Sequence, residues 1–169
     1  MSQFAIRVAT PADAPSILAT HKASVAVLCA GHYSPEHMDS WFHDRGADIY
    51  APAIERQRIW LVEADGKVQG FVGFEPGEVT LLFVAPEASG KKLGSALFEF
   101  GLARAREDAT GPVFVVATKN SVSFYARHGF EVEEEQGFVR GTGDLRYPVL
   151  RMKLPSKQCN LAATFAGNA

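Results

Sequence analysis

The stretch that decides the fold is Leu81-Leu82-Phe83-Val84-Ala85-Pro86-Glu87-Ala88-Ser89-Gly90-Lys91-Lys92-Leu93-Gly94-Ser95. Its first part belongs to an apolar run, Val79–Val84, which predicts a strand buried on both faces. After the glycine-containing loop, apolar residues recur at helical spacing and predict a helix from about Lys91 to Asp108. A loop of this kind directs backbone N–H groups toward one point at the helix N-terminus, where the helix dipole adds positive potential. The stretch therefore predicts a pyrophosphate site, with a simple strand-to-helix turn as the alternative.

Upstream of this stretch, the pattern predicts a short strand, two helices and an antiparallel meander. Thr10-Pro11-Ala12-Asp13 has the N-cap, early proline and early carboxylate of a helix start, and helical spacing continues to about Cys29. A second helix start follows at Ser34-Pro35-Glu36-His37. Asp65-Gly66 is a strong signal for a two-residue hairpin turn. The strands predicted in this part are Phe4–Val8, Ile59–Ala64, Val68–Phe74 and Val79–Val84.

Downstream, a short strand, a short helix and a final strand pair complete the pattern. Gly129 is expected to close the helix as a left-handed C-cap, and Gly141-Thr142-Gly143 lies between the last two strands. The predicted elements are Val113–Ala117, Asn120–Arg127, Phe130–Glu135 and Val149–Leu154. We therefore predict an α+β fold, a single mixed, mostly antiparallel sheet of six to seven strands flanked by about four helices. One domain would span residues 1–154, followed by an irregular tail over residues 155–169.

Composition and charge exclude several classes of protein. The 169 residues are 47% apolar, and 17 basic against 19 acidic side chains give a net charge of −2, which is no reason to expect a nucleic-acid binder. No apolar run approaches the roughly 20 residues that span a bilayer, and the N-terminal residues lack the layout of a signal peptide. Cys29 and Cys159 lie far apart and lack metal-ligand spacing. We expect a cytoplasmic protein without a metal or a disulfide framework, bound neither to nucleic acid nor to membrane.

A second segment, Asn120-Ser121-Val122-Ser123-Phe124-Tyr125-Ala126-Arg127-His128-Gly129-Phe130, makes the pattern more specific. Together the two segments resemble the GNAT superfamily of acetyl-CoA-dependent N-acetyltransferases, in particular its small bacterial members. The first is similar, at Ser89, Lys92 and Gly94, to the family's pyrophosphate motif of Arg or Gln, two residues, Gly, one residue, and Gly or Ala. The second is similar to the family's Asn…Phe-Tyr-x-x-x-Gly-Phe motif. The resemblance covers Phe4–Leu154 and implies the fold predicted above.

Two positions depart from the family's loop motif. Ser89 stands where the family mostly has Arg or Gln, so a long donor beside the phosphates is missing. Lys92 stands where the family usually has Gly. Because a helical φ does not require Gly, we expect the Lys92 amide to point toward the phosphates all the same. The departures imply an altered affinity for the coenzyme, with binding retained.

The resemblance implies roles for the site residues. Backbone groups of Leu82, Phe83 and Val84 would pair with the pantetheine arm of acetyl-CoA, and one N–H among them would polarise the acetyl carbonyl. Asn120 would hydrogen-bond the pantetheine amides, with a helix N-cap as the alternative. Tyr125 would contact the coenzyme and protonate the departing thiolate, with a hydrogen-bonded core aromatic as the alternative. The loop residues implied to bind the coenzyme are Ser89, Gly90, Lys91, Lys92, Leu93, Gly94 and Ser95.

Several carboxylates and histidines are candidates for the proton acceptor. Glu78 begins the strand that leads to the acetyl site and is our candidate general base. Glu75 flanks the same turn, and for both carboxylates a solvated turn residue is the alternative. His32 and His37 lie at the connection between the first two helices, where the alternative is a structural role.

The first two helices and the loop after the sixth strand are expected to line the acceptor pocket. Tyr33 to Trp41 resembles a Tyr-Ser-Pro-Glu-x-x-x-x-Trp segment of some small bacterial GNAT proteins. Tyr33, Trp41 and Phe42 would form an aromatic wall, and Glu36 or Asp39 would attract a cationic amine. The alternative is an amphipathic helix whose aromatic face packs on the sheet.

These observations predict an N-acetyltransferase that moves an acetyl group from acetyl-CoA to a primary amine of a small molecule or peptide. The amine would attack directly within a ternary complex. The alternative is a GNAT-fold protein that binds CoA as a sensor or interaction module without turnover. A phosphate-binding hydrolase is disfavoured because the Gly-x-x-x-x-Gly-Lys-Ser/Thr spacing and Mg²⁺-ligating residues are lacking. We also expect a homodimer, formed through exposed strands and the apolar segment Leu161–Phe165.

Overall fold

Seven strands of the chain join in one mixed sheet with helices on both faces. The computed structural model describes residues 4–107, 109–139 and 144–156. The strands are β1 (Ile6–Val8), β2 (Ile59–Ala64), β3 (Lys67–Glu75), β4 (Glu78–Val84), β5 (Val113–Ala117), β6 (Glu131–Val139) and β7 (Arg146–Leu154). The α-helices are α1 (Ala14–Leu28), α2 (Pro35–Ser40), α3 (Ala51–Glu55), α4 (Leu93–Glu107) and α5 (Val122–Arg127). The strand order is β1-β2-β3-β4-β5-β7-β6, and only β4 and β5 are parallel neighbours in this described sheet.

The predicted α+β fold is confirmed, and the structure adds elements that the sequence pattern did not show. A 3-10 helix at Ala47–Tyr50 leads into α3, which is five residues long and has Pro52 in its first turn. Such a segment is too short for helical periodicity to be visible. Strand β6 continues four residues beyond its predicted end at Glu135, and these four residues pair with the first four residues of β7.

Three features predicted from the sequence lie outside the described residues. They are the connection Gly141-Thr142-Gly143, Cys159 and the apolar segment Leu161–Phe165. Pro155 and Ser156, the described start of the predicted tail, have no regular secondary structure. In the part of the chain that the structure describes, no helix is both long and apolar enough to cross a membrane.

Local signals in the sequence have the expected geometry. Asp65 and Gly66 adopt φ values of 52° and 71°, the left-handed pair required by a type I′ hairpin turn. The carboxylate of Asp13 accepts the Thr10 backbone N–H at 2.7 Å, which caps a 3-10 turn that runs directly into α1. Gly129 follows α5 with φ 87°, as predicted for a left-handed C-cap.

Helix α4 packs closely on β3. A Cβ atom built on Gly101 would lie 2.5 Å from Cγ2 of Val72, so only glycine allows the two backbones this separation. The same apolar cluster holds Leu97 and Phe98, which are fully buried. On the opposite face of the sheet, α1 and the 3-10 helix at Ala47–Tyr50 cover a second cluster that includes Ile17 and Phe71.

Strands β4 and β5 separate soon after they meet. Their pairing consists of Glu78 with Phe114 and Val79 with Val115. Gly77 fixes this closed end, since its carbonyl accepts the Phe114 N–H at 2.9 Å. Beyond it, Thr80 is an extra residue on β4 relative to β3, a β-bulge that bends the strand. The result is a gap in the middle of the sheet.

The gap corrects one expectation about β4. The apolar run predicted burial on both faces, yet Leu81, Leu82, Phe83 and Val84 are each only partly buried. The strand lines a cavity after it leaves β5, so its apolar residues face open space where a continuous parallel sheet would cover them.

The packing of α4 gives a stability prediction. Helix propensity alone predicts that Gly101→Ala would stabilise the protein by up to about 1 kcal/mol. The overlap with Val72 predicts the opposite, a loss of about 1–2 kcal/mol, since a packed core resists extra volume. Thermal melting should show a fall of a few degrees. In the matched Gly94→Ala control the new Cβ would lie 3.8 Å from its nearest neighbour, so stability should hold. A Gly101→Ala protein as stable as the wild type would contradict the packing described.

Candidate active site

A cavity of about 550 Å³ occupies the gap between β4 and β5. Strand β4 and the start of α4 form one side, and the segment from Thr118 to Tyr125 forms another. The inner face of α1 and parts of β6 and β7 complete it. Within the described residues, no three His, Cys, Asp or Glu side chains are grouped to hold a metal ion.

The β4 side of the cavity presents backbone groups that have no strand partner. The Ala85 N–H donates to the Gln69 carbonyl of the β3 side at 2.8 Å. Because hydrogen bonding alternates along an antiparallel strand, Phe83 also faces β3, whereas the backbone groups of Leu82 and Val84 face the gap. In the described sheet β5 pairs with neither residue. Buried backbone groups require a partner, and an extended ligand containing amides can supply one.

Phe83 lines the cavity with its side chain, because its backbone groups face β3. Its ring lies 3.8 Å, centroid to centroid, from the imidazole of His21 on α1. Of the three strand residues implied to pair with the coenzyme arm, the alternation therefore favours Leu82 and Val84 for that pairing.

The loop before α4 has a left-handed backbone at two positions. Gly90 has φ 76° and Lys92 has φ 64°. The expectation that position 92 needs only a helical φ is therefore wrong. A residue with a Cβ atom is strained there by about 1–2 kcal/mol, which is the physical reason for glycine at this position of the motif. Helix α4 starts immediately afterwards, and its Ala96 N–H donates to the Lys92 carbonyl at 3.1 Å.

Only some of the predicted loop residues line the cavity. Ser89 and Gly94 line the cavity. Leu93 is 2% exposed, with its side chain in the core beneath α4, so only its backbone is available to a ligand. The remaining predicted residues do not line the cavity, and they are Gly90, Lys91, Lys92 and Ser95.

Tyr125 lies at the wall of the cavity with its ring fixed by other aromatics. Phe98, Phe124 and Phe130 surround the ring, which is 6% exposed. Its hydroxyl makes no hydrogen bond to any residue that the structure describes, which does not fit the alternative of a hydrogen-bonded core tyrosine. Burial raises the pKa of Tyr125, so the phenol keeps its proton throughout the neutral range.

Asn120 lines the cavity and lies just before α5, within a 3-10 helix over Lys119–Ser121. The N-cap positions of this segment are Thr118 and Ser121, so the alternative of an N-cap at Asn120 is wrong. The Asn120 Oδ1 accepts a hydrogen bond from Cys29 Sγ at 3.3 Å. Burial raises the pKa of Cys29 to about 11, so this thiol is protonated and acts as the donor.

Glu78 is placed at the closed end of the gap and does not line the cavity. Burial raises its pKa, Arg151 lowers it, and Glu75 raises it further, with a net rise. The neighbouring Glu75 carboxylate accepts a hydrogen bond from Arg56 at 2.6 Å, as expected of a surface residue. A role for Glu78 in proton transfer therefore requires water between its carboxyl group and the cavity.

The predicted acceptor residues are only partly brought together. Trp41 lines the cavity and is 2% exposed. Tyr33 does not line it, because its hydroxyl donates to the Pro148 carbonyl at 2.9 Å and accepts the Lys119 N–H at 3.1 Å. Glu36 is exposed and also lies outside the cavity lining. Trp41, the residue after α2, packs edge-to-face against Tyr33 and against Tyr147 of β7, which agrees with the alternative of aromatic packing on the sheet.

The two histidines near α2 have different positions. His37 is fixed by both ring nitrogens, with Ser34 Oγ at 2.6 Å and the Arg146 carbonyl at 2.8 Å. It ties α2 to β7 and has a structural position. His32 is exposed and lines the cavity.

Sequence reasoning missed the polar residues of α1. His21 and Ser24 are buried, lie three positions apart on one helix face, and line the cavity. The His21 Nδ1 is 2.7 Å from the Tyr50 hydroxyl, which lies in the 3-10 helix that the sequence pattern did not show. The available signal was the presence of polar residues at inward-facing positions of an otherwise apolar helix face.

Comparisons with known proteins identify the same architecture. The model of a family described as acetyltransferase (GNAT) domain matches residues 29–149. The uncharacterized N-acetyltransferase YafP of Escherichia coli K12 is 24% identical over 136 residues, which are 80% of this chain and 87% of YafP. The PaiA N-acetyltransferase of Thermoplasma acidophilum, solved with coenzyme A, has a TM-score of 0.71 at 23% identity, covering 92% of this chain and 99% of that one. The putative acetyltransferase yncA of Salmonella typhimurium, solved with acetyl-CoA, has a TM-score of 0.64 at 21% identity and 99% coverage of both chains.

The left-handed backbone at Lys92 gives a prediction for the free protein. Lys92→Gly should raise the free energy of unfolding by about 1 kcal/mol, because glycine adopts this φ without strain. Thermal melting without ligand should rise by about 2–4 °C. Lys91→Gly is the matched control, since Lys91 does not have a positive φ and glycine there should lower stability. Equal shifts in the two variants would show that residue 92 is not strained.

Proposed function

The chain belongs to the GNAT acetyltransferase family, and we propose that it transfers an acetyl group from acetyl-CoA to a primary amine of a small molecule or peptide by direct attack in a ternary complex. It is an acyltransferase, and its cosubstrate is acetyl-CoA. One observation carries the proposal. A single cavity is lined both by the open strand edge at Leu82 and Val84 and by Tyr125, whose hydroxyl has no hydrogen-bond partner among the described residues.

The parts of the coenzyme would bind at different elements around the cavity. The amides of the pantetheine arm would pair with the backbone groups of Leu82 and Val84, as an added strand. The Asn120 carboxamide, held by Cys29, would hydrogen-bond the same arm from the opposite side. The pyrophosphate would bind the loop from Ser89 to Ser95, where backbone N–H groups meet the N-terminus of the fifteen-residue helix α4.

Acetyl transfer requires a polarised carbonyl, a deprotonated amine and a proton for the leaving group. Bound acetyl-CoA supplies an activated thioester. A backbone N–H at the open edge of β4 would donate to the thioester oxygen as negative charge develops there. Tyr125 would donate its proton to the departing sulfur, for which its raised pKa keeps the phenol protonated.

The proton of the attacking amine has more than one possible acceptor in this chain. Glu78 remains our candidate base and would act through water, since it lies outside the cavity lining. Its raised pKa brings the carboxylate closer to the range in which a base is effective near neutral pH. His21 and His32 line the cavity and are the other titratable groups placed to receive that proton.

The alternative of a CoA sensor without turnover is less well supported. Binding alone uses the loop and the strand edge and has no need of a buried proton donor. The Tyr125 hydroxyl, without a partner among the described residues, is costly unless a ligand uses it. Assembly as a homodimer and a cytoplasmic location stay predictions.

Coenzyme binding is tested at the start of α4. Gly94→Glu should weaken acetyl-CoA binding at least about tenfold by calorimetry, because the new carboxylate repels the pyrophosphate. A Cβ at this position is 3.8 Å from its nearest neighbour, so the variant should fold. Gly94→Ala adds the Cβ without the charge and should bind nearly normally. Unchanged affinity in folded Gly94→Glu would remove the loop from the coenzyme site.

The proton donor is tested by Tyr125→Phe. General acid catalysis contributes about 10²–10⁴-fold, so kcat should fall within that range while the KM for acetyl-CoA changes little. Because the hydroxyl lacks a partner among the described residues, the melting temperature should stay the same or rise. The measurement is steady-state thiol release beside thermal melting.

Tyr147→Phe is the matched control for this experiment. The Tyr147 hydroxyl lies 2.6 Å from Ser40 Oγ, away from the cavity lining. Its loss should lower stability by about 1 kcal/mol and leave kcat within about twofold. Near wild-type turnover in Tyr125→Phe, with a stability loss like that of the control, would show that Tyr125 is structural.

A further inference from the structure

The part of the cavity between α1 and the β6–β7 strands contains no formal charge in the described residues. None of the described side chains that line the cavity is Asp, Glu, Lys or Arg. The walls on this side are Leu28, Trp41, Phe138 and Val149. Phe138 stacks on Tyr147 at 4.9 Å and lies edge-to-face with Trp41 at 6.1 Å, so the rings already pack against one another and offer mainly apolar surface.

One polar group in this part of the cavity lacks a partner within the described structure. Ser24 is 3% exposed and lines the cavity, yet its hydroxyl makes no hydrogen bond to any described residue. Buried hydroxyl groups are normally hydrogen-bonded, so a hydroxyl at the cavity wall without a protein partner is available to a molecule bound there. His21, one helical turn earlier on the same face, places an imidazole beside it.

We propose that this part of the cavity is a subsite for a primary monoamine carried on an apolar or aromatic body, with Ser24 as the hydrogen-bond partner of the amine. The proposal rests on the acetyltransferase function proposed above and names its acceptor class. It replaces the expectation that Glu36 or Asp39 attracts a cationic amine, since neither residue lines the cavity.

The chemistry of the walls accounts for this choice. An apolar body gains free energy in proportion to the surface that it buries against Leu28, Trp41 and Phe138. A second ammonium group would lose its hydration without meeting a carboxylate among the described lining residues, and an unpaired buried charge is strongly disfavoured. The reacting amine avoids this penalty because it must be neutral to attack, and Ser24 can hydrogen-bond the neutral form.

The first test compares two acceptors of equal size. Hexylamine and 1,5-diaminopentane differ in one end group, methyl against ammonium. In thiol-release assays with acetyl-CoA, the kcat/KM for hexylamine should exceed that for the diamine at least about tenfold. Calorimetry with the CoA-saturated protein should show hexylamine binding more tightly than the diamine.

The second test uses Ser24→Ala. Loss of the hydroxyl should reduce kcat/KM for hexylamine about tenfold and leave acetyl-CoA affinity unchanged. Since the hydroxyl has no partner among the described residues, the free variant should melt at the same or a higher temperature, which a structural serine would not do. Ser16→Ala, at an exposed position of the same helix, is the matched control and should change neither quantity.

The third test reverses the preference. His32 is exposed and lines the cavity, so His32→Glu introduces a carboxylate where a second ammonium group can pair with it. The ratio of kcat/KM for hexylamine over diamine should fall several-fold in this variant, and the same ratio measured by binding should fall with it.

The outcomes separate this proposal from the proposed function. Turnover that favours the diamine in the wild type, or no response of hexylamine binding and turnover to Ser24→Ala, would overturn the subsite. Absence of binding of hexylamine to the CoA complex would also overturn it. Hexylamine binding that weakens in Ser24→Ala, without thiol release from any amine, would support the subsite and contradict the acetyltransferase function.

Discussion

The structure depends on an unpaired strand edge in the middle of its sheet. Strands β4 and β5 pair at Glu78 and Val79 and then separate, which leaves the backbone groups of Leu82 and Val84 facing a cavity. Gly77 holds the closed end, and the bulge at Thr80 turns the strand away from β5. A sheet would normally satisfy these groups itself. Here they are available to an extended ligand, and the loop before α4, Asn120 and Tyr125 are arranged around the same opening.

Several features of the site lower the stability of the free protein. Lys92 has a left-handed backbone, and neither Ser24 nor Tyr125 finds a hydrogen-bond partner for its hydroxyl among the described residues. Each feature costs about 1–3 kcal/mol in isolation. All three lie at or beside the cavity: Ser24 and Tyr125 line it, and Lys92 precedes the helix whose first turn borders it. Backbone strain and unsatisfied polar groups are expected to lie at a functional site, where a bound ligand can hydrogen-bond the polar groups.

Much of the fold could be predicted from local patterns, because the hairpin at Asp65-Gly66 and the helix after Lys92 have strong local signals. The motif residues Asn120 and Tyr125 were found through the family resemblance, and both line the cavity. What the sequence did not show depends on non-local geometry. The divergence of β4 from β5 follows from a bulge, and the roles of His21 and Ser24 follow from the direction in which α1 packs. The positive φ of Lys92 was missed because a lysine carries no sign of it in the sequence.

The central claim is that the open edge of β4 binds the coenzyme arm, and amide hydrogen exchange measured by NMR tests it most directly. Alternation along β4 leaves the N–H groups of Leu82 and Val84 facing the cavity, while the Phe83 N–H faces β3. Saturation with acetyl-CoA should slow exchange at Leu82 and Val84 by at least about tenfold, with little change at Phe83. Equal protection of all three amides, or protection at none of them in the presence of bound coenzyme, would contradict the account.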